Sequence, residues 1–424
     1  MVAGPERDKR IERLAALALV LPLAVTGFVV AAGCWTLFAV VGVHLRSGLD
    51  LSSLQFGLLL AMPMAVSALV AVPAGLAARR FGARQVMLVC LGGLVLCMGI
   101  LLVTTSFRGY LLAAGGLGLA GGFYSAGLQF VSGHCESSRL GLVLGIFGAG
   151  VTGTGFSYYL VPLFDRAFSW QAVPLAYLVV LSVVFLLLSL LTEAQDEGGA
   201  VVPEAWQGGL LHQLRNRESW SFSGYFGAIA GSFFALALWL PDFLSAQFGL
   251  HVESGARLAQ WFVIPGALAQ IAGGSLADHF GSPRVVVRAL MLGLAMLLLL
   301  TYPPMTLFIQ GVDSVIQVDF AMPRTLVGLE VLILGLALGV GMGGVQRQAI
   351  AGNRPAAAVV AGLMLLSACS FAFALPVLFG AINDWLGVRT AVFAILFVLL
   401  GSCLLMFARS CRRLERIQLL HPEI

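Results

Sequence analysis

Glu330 stands in the stretch RTLVGLEVLILGLALGVGMGG and is the acid placed deepest inside an apolar run. It lies about two turns into that run, roughly 8–9 Å from its start at the helical rise. A carboxyl so placed is costly and, when functional, marks an ion pathway suited to proton exchange. Its alternative is an acid near the interface, hydrogen-bonded or paired with Arg324. Asp242 follows Pro241 in WLPDFL and is a second proton-coupling candidate; the alternative there is a helix break or a rim. Candidates for a small-solute site are Gln270, Trp35, Tyr124, Thr152, Tyr158 and Trp239, with Thr36, Gln129 and Ser370 beside them. Aromatic walls with a few polar anchors are the usual lining of such sites. Each of these side chains could equally face lipid or a neighbouring helix.

Other stretches invite chemistry that their context does not support. GVTGTG (150–155) and GVGMGG (339–344) suggest phosphate loops. Both lie in apolar runs without the strand and Lys-Ser/Thr that such a loop needs, so close helix packing is the expectation. His134, Cys135 and Glu136 are adjacent but have no further ligands nearby, so a solvated turn is expected rather than a metal. The seven cysteines show no zinc spacing, and no disulfide, metal or cofactor is expected. An enzyme would need a nucleophile, base or ligand set clustered in the runs, and none is visible.

The elements that hold these residues follow from composition. The chain has 424 residues, 59% hydrophobic and 10% charged, with a mean hydropathy of +0.97. A soluble domain carries about 25% charged residues. Apolar runs of about 20 residues cross a bilayer as helices, and such runs fill most of this chain. A strand barrel would show short alternating segments, and none is read here. The net charge of +4 is spread around helix ends, not along a stripe, which argues against nucleic acid. The charged-then-apolar start resembles a signal peptide, but the apolar part continues to about Leu45 and is taken as a retained first span.

Breaks divide the chain into about twelve spans, near residues 18–45, 54–78, 86–105, 109–132, 138–164, 170–192, 221–247, 256–278, 284–303, 325–346, 357–381 and 387–409. With the N-terminus inside, 18 of the 24 basic residues fall in inner segments and one in each outer loop. Cytoplasmic loops collect Lys and Arg, so both termini are expected in the cytoplasm. The hydrophilic segment 193–220 carries Gly, Pro and mixed charge, as a linker does. It separates a six-helix bundle at 1–192 from a second at 221–424. The stretch AGLAARRFGAR (74–84) returns 199 residues later as GGSLADHFGSPR (273–284), after the second span of each half. Pro162 and Pro376 also match, late in the fifth span of each half. A duplicated bundle suits alternating access around a midplane site.

These repeated turns resemble the G-x-L-A-D-R-x-G-x-R/K motif of the major facilitator superfamily, and the resemblance extends over essentially the whole chain. The second copy supplies Gly274, Asp278, Gly281 and Arg284; the first supplies Gly75, Arg79, Gly82 and Arg84, with Arg79 in the acidic place. Arg79 and Asp278 are expected to close the cytoplasmic mouth, directly or through helix ends. The four glycines are expected to permit tight turns and close helix approach. LGIFGAGVTGTGFSYYLVPLF (144–164) resembles the glycine signature of the nitrate/nitrite porters, without its asparagine. In that branch an arginine precedes each turn glycine by eleven residues. Here those places hold Ala71 and Gln270, which makes Gln270 the first substrate-contacting candidate.

The resemblance thus implies an all-α secondary transporter of twelve spans, monomeric, moving a small polar or ionic solute with proton coupling. Its membrane is expected to be a bacterial inner membrane or one derived from it. The alternatives are a nitrate/nitrite-type porter of altered specificity, a metal-ion transporter of the magnetosome type, or a transporter-like sensor or assembly factor.

Overall fold

On the run Ala83–Val103, Val89, Leu96 and Val103 recur every seven residues and are 72%, 66% and 80% exposed. Met87, Leu91, Leu94 and Met98 on the same run are buried. One apolar stripe therefore packs inward while another, just as apolar, faces outward. That is the pattern of a helix with lipid on one side, not of a water-soluble helix with a polar face. The computed structural model describes residues 4–38, 41, 45, 49–51, 53–192, 215–250, 252–302, 305–310, 315–320 and 322–420.

The first half contains α1 (Gly4–Trp35), α2 (Ser53–Phe81), α3 (Ala83–Val103), α4 (Phe107–Leu117), α5 (Leu119–Gly133), α6 (Leu140–Gly148), α7 (Thr152–Ala167) and α8 (Ala172–Leu191). The second contains α9 (Arg217–Phe248), α10 (Val252–Phe280), α11 (Ser282–Leu300), α12 (Arg324–Ala351), α13 (Ala357–Leu386) and α14 (Ala391–Leu420). Helices α4 and α5 form one span broken at Gly118; α6 and α7 form another, joined by a 3-10 turn at Ala149–Val151. Eleven segments of the described residues are long and apolar enough to cross a membrane. Helix α10 has the same length, but Gln260, Pro265 and Gln270 dilute its apolar content. With it, the described residues hold the twelve spans expected.

One element adds to the all-helical expectation. Between α11 and α12, β1 (Met305–Gln310) pairs antiparallel with β2 (Val315–Phe320), placing Met305 opposite Phe320. Val315, Ile316 and Val318 are β-branched and favour extended backbone, and this short loop segment lies outside the spans. The linker expected at 193–220 lies mostly outside the described residues, since 193–214 are not among them.

Glycine sets how closely the helices approach. A Cβ on Gly335 would stand 2.6 Å from the Phe262 carbonyl oxygen, and one on Gly339 would run into the Gly266 carbonyl. Helices α10 and α12 thus pack backbone to backbone, as expected for GVGMGG. GVTGTG does the same against α1, where a Cβ on Gly153 would strike the Val29 carbonyl. Packing across the halves repeats as well. Gly274 meets Gly141 and Gln270 meets Gly145; in the matching places Gly75 meets Ala358 and Ala71 meets Gly362.

Candidate functional site

Three helices bring polar side chains together at the plane where the halves meet, and a fourth adds a backbone carbonyl. Gln270 on α10 is 2% exposed and Gln346 on α12 is fully buried. The Gln270 amide donates to the Gly148 carbonyl at the end of α6, 3.2 Å away. The Gln346 amide donates to the Tyr124 hydroxyl on α5, also at 3.2 Å. Glycine at 148 makes the convergence possible: a Cβ there would lie 2.5 Å from Gln270 Oε1 and 3.1 Å from Gln346 Oε1. Gln346 Oε1 is buried with no hydrogen-bond partner among the described residues.

Aromatic rings wall this cluster. Phe28 stacks on Phe147 at 5.1 Å and lies 5.2 Å from Tyr124 and 6.1 Å from Trp35. Trp35 meets Phe234 of the other half edge-on at 5.7 Å. The Trp35 indole N–H is occupied, because it donates to Ser67 Oγ at 2.8 Å, and Ser67 donates to the Gly118 carbonyl at 2.9 Å. The same carbonyl also accepts from Gly121 N at 3.0 Å. Trp35 therefore offers the cluster a ring face but no donor.

The remaining candidates sit apart. Thr152 and Tyr158 are buried on α7, but neither joins the cluster through the described hydrogen bonds or ring contacts. Trp239 packs edge-on to Phe379 at 5.7 Å, its indole N–H buried without a partner among the described residues. Ser370 is exposed and bonds its own helix at Leu366, so it does not line the centre. Asp242 is exposed, and α9 runs unbroken through Pro241, so it is a rim residue without the helix break.

Glu330 is 4% exposed, and its Oε2 has no partner among the described residues. At 100° per residue it shares a face of α12 with Leu334, Ala337, Gly341 and Gly344, about 160° from Gln346. Leu334 and Ala337 lie under Gly293 of α11, and Gly341 faces Ile229 of α9. Glu330 thus belongs to the interior of the second bundle, away from the glutamine cluster.

The turns close one end of the molecule, called here the basic end. Gly82 and Gly281 adopt φ of 90° and 84°, a conformation that side chains other than glycine rarely take. Asp278 reaches from α10 into the first half, where Gly141 N and Leu142 N donate to its two carboxylate oxygens at 3.0 and 2.9 Å. These are second and third residues of α6, whose amides have no partner within their own helix. Arg347 on α12 donates to the same carboxylate at 3.0 Å. Arg354, between α12 and α13, donates to Ser137 Oγ at 2.7 Å, to the Ser132 carbonyl at 2.9 Å and to the Cys135 carbonyl. Burial, ahead of the neighbouring charges, pushes the Cys135 thiol up to about 11.

Arg79, in the matching place of the first half, is partly exposed at the end of α2. Arg84 binds Thr192 Oγ1 and the Ser189 carbonyl, both at 2.8 Å, and so ties α3 to the C-terminal end of α8. Arg284 is exposed at the start of α11. Among the described residues no three His, Cys, Asp or Glu side chains gather as metal ligands.

Sequence reasoning missed Gln346, Arg347 and Arg354. The repeat could have found Gln346. Gly141 and Gly145 are each 217 residues from their counterparts Ala358 and Gly362, and the same interval joins Gln129 to Gln346.

Known proteins agree with this architecture. The human organic anion transporter MFSD10 superposes with a TM-score of 0.72 at 16% identity, over 92% of this chain and 99% of that one. The Escherichia coli fucose:proton symporter FucP gives 0.67 at 13% identity, over 92% and 97%. A probable nitrate/nitrite antiporter, NarK1 of Thermus thermophilus, is 28% identical over 90% of this chain and 88% of its own. A probable nitrate/nitrite transporter, NarK2 of Mycobacterium tuberculosis, is 29% identical over 82% and 85%. The family model described as Major Facilitator Superfamily matches residues 23–351. With that match over most of its length, twelve spans and transporter relatives, the chain belongs to the major facilitator superfamily, a family of membrane transporters.

Proposed function

We propose that this chain moves a small polar or ionic solute by alternating access, coupled to protons. The observation that carries this reading is the pairing of Asp278 with the start of α6, beneath a buried polar cluster that both halves build. A joint made of two backbone amides and one carboxylate forms and breaks as a unit, which a rocking pair of bundles requires. The bundles are residues 1–192 and 221–424, with 193–220 as the linker. The basic end is the cytoplasmic one, in keeping with the charge bias, so both termini lie in the cytoplasm of a bacterial inner membrane or a derived one. The transporter acts as a monomer.

Gln270, Gln346 and Tyr124 contact the solute, against Phe28, Phe147 and the Trp35 ring. Glu330 takes the coupling proton from within the second bundle, with Asp242 at the rim as the alternative acceptor. The test is solute-dependent proton movement in proteoliposomes, with nitrate, nitrite, other small anions, neutral solutes and divalent metals, beside Glu330→Gln. Proton movement that Glu330→Gln abolishes supports the reading; movement that survives it removes Glu330 from the coupling. Solute uptake without proton movement removes coupling altogether.

A second reading, exchange of nitrate and nitrite, is favoured by the names of the relatives. The same panel separates it, because only those two anions would then move.

A further inference from the structure

We infer that the glutamine cluster selects an uncharged solute bearing both hydrogen-bond donors and acceptors, of the amide or urea class, rather than an ion. The inference rests on the transport reading above and narrows its substrate. The cluster is neutral: Gln270, Gln346 and Tyr124 supply its polar atoms, and among the described residues no ionised side chain bonds to it. Aromatic rings and glycine backbone complete its walls. A monoanion brought here would leave water without meeting a cation, and its oxygens would face amide oxygens. A cation would meet those oxygens but no counter-charge.

The orphaned acceptor points the same way. Gln346 Oε1 is fully buried and unpartnered among the described residues, and it packs with Gln270 Oε1 against the bare backbone of Gly148. A buried carbonyl left without a donor is destabilising, so a solute that partners it must bring N–H or O–H. Gln129, the counterpart of Gln346 in the first half, also has a buried Oε1 without a partner among the described residues. Turning a carboxamide over exchanges which atom is left for the solute, but each side chain still offers donors and an acceptor. A solute with N–H beside C=O matches that pattern with no charge to neutralise.

The test is counterflow of labelled urea into proteoliposomes preloaded with acetamide, set against protein-free vesicles to subtract passive leak. Labelled nitrate, nitrite and ammonium are measured in parallel. Saturable urea or acetamide counterflow is expected, falling at least tenfold in Gln346→Leu and less in Gln346→Asn, with nitrate neither moving nor competing. Thermal unfolding of the purified variants separates loss of binding from loss of fold. Nitrate, nitrite or ammonium movement without urea or acetamide movement overturns the inference and leaves transport standing. If none of these solutes moves although the wild-type protein unfolds cooperatively, this inference fails, and the transport reading is decided separately by the wider panel above.

Discussion

Replacing Asp278 with alanine should release the basic end. The carboxylate is 4% exposed and accepts two backbone N–H groups and the Arg347 guanidinium. A helix-capping side chain contributes about 0.5–2 kcal/mol, and a hydrogen bond to a charged group about 1.5–3 kcal/mol. Arg347 is 25% exposed, so its share is reduced by solvent. In the open form Asp278, Arg347 and the α6 amides regain water, which offsets part of the loss. The net shift is about 2–3 kcal/mol towards opening, roughly 30- to 150-fold in the open-to-closed ratio at 1.4 kcal/mol per decade. Spin labels on exposed Arg139 and Arg284, one in each half, would read it as a new, longer distance population. The native cysteines are all buried, so they compete little for the label. An unchanged distance distribution, accompanied only by a lower unfolding temperature, would refute the idea that Asp278 holds the halves together.

Further outcomes follow from the same geometry. Arg79→Asp places a carboxylate near the start of α13, where Gly75 meets Ala358, and should favour closure by about 0.3–1 kcal/mol; the same labels should show fewer long distances and uptake should slow. Gly274→Val drives a side chain into the Gly141 carbonyl, and a forced shift of that kind costs about 1–3 kcal/mol; the variant should stay open at the basic end, and normal closure by spin-label distance would contradict the packing. With its thiol held up to about 11, Cys135 should react with maleimide about tenfold faster per pH unit from 7 to 9, where an ordinary thiol begins to level off. Arg354→Ala removes both the bonds that cover that loop and a charge that holds the Cys135 thiol down, so loop exposure should raise the rate only where it outweighs the lost charge, and the tenfold-per-unit slope should extend to higher pH, read by mass spectrometry of its peptide. Gln270→Leu, like Gln346→Leu, should cut urea counterflow at least tenfold while the spin-label distances at the basic end stay as in the wild type.

Much of the fold was written in one dimension because the bilayer simplifies the problem. Apolar length gives a span, and a repeated turn gives duplication, while arginine placement sets the orientation proposed above, all without tertiary information. Gly82 and Gly281 were legible for a local reason, since only glycine readily holds their φ. The hairpin at 305–320 was not, because short β-branched runs between spans have no lipid boundary to define them.

The site divides along the same line. Type and spacing singled out Gln270, Tyr124 and Trp35 as polar or aromatic residues in apolar helices. They could not tell that the Trp35 N–H is spent on Ser67, or that Gln346 completes the cluster from 222 residues beyond Tyr124. Glu330 shows the limit most plainly. Its depth follows from counting along the run, but its direction depends on which face of α12 carries the glycines that pack on α10. Those glycines turn Glu330 towards α11 and α9 and Gln346 towards the other half. Sequence therefore determined which residues enter the membrane, since burial in lipid depends on composition along one helix. Only tertiary structure decided which of them meet, because helix rotation is set by packing between segments far apart in the chain.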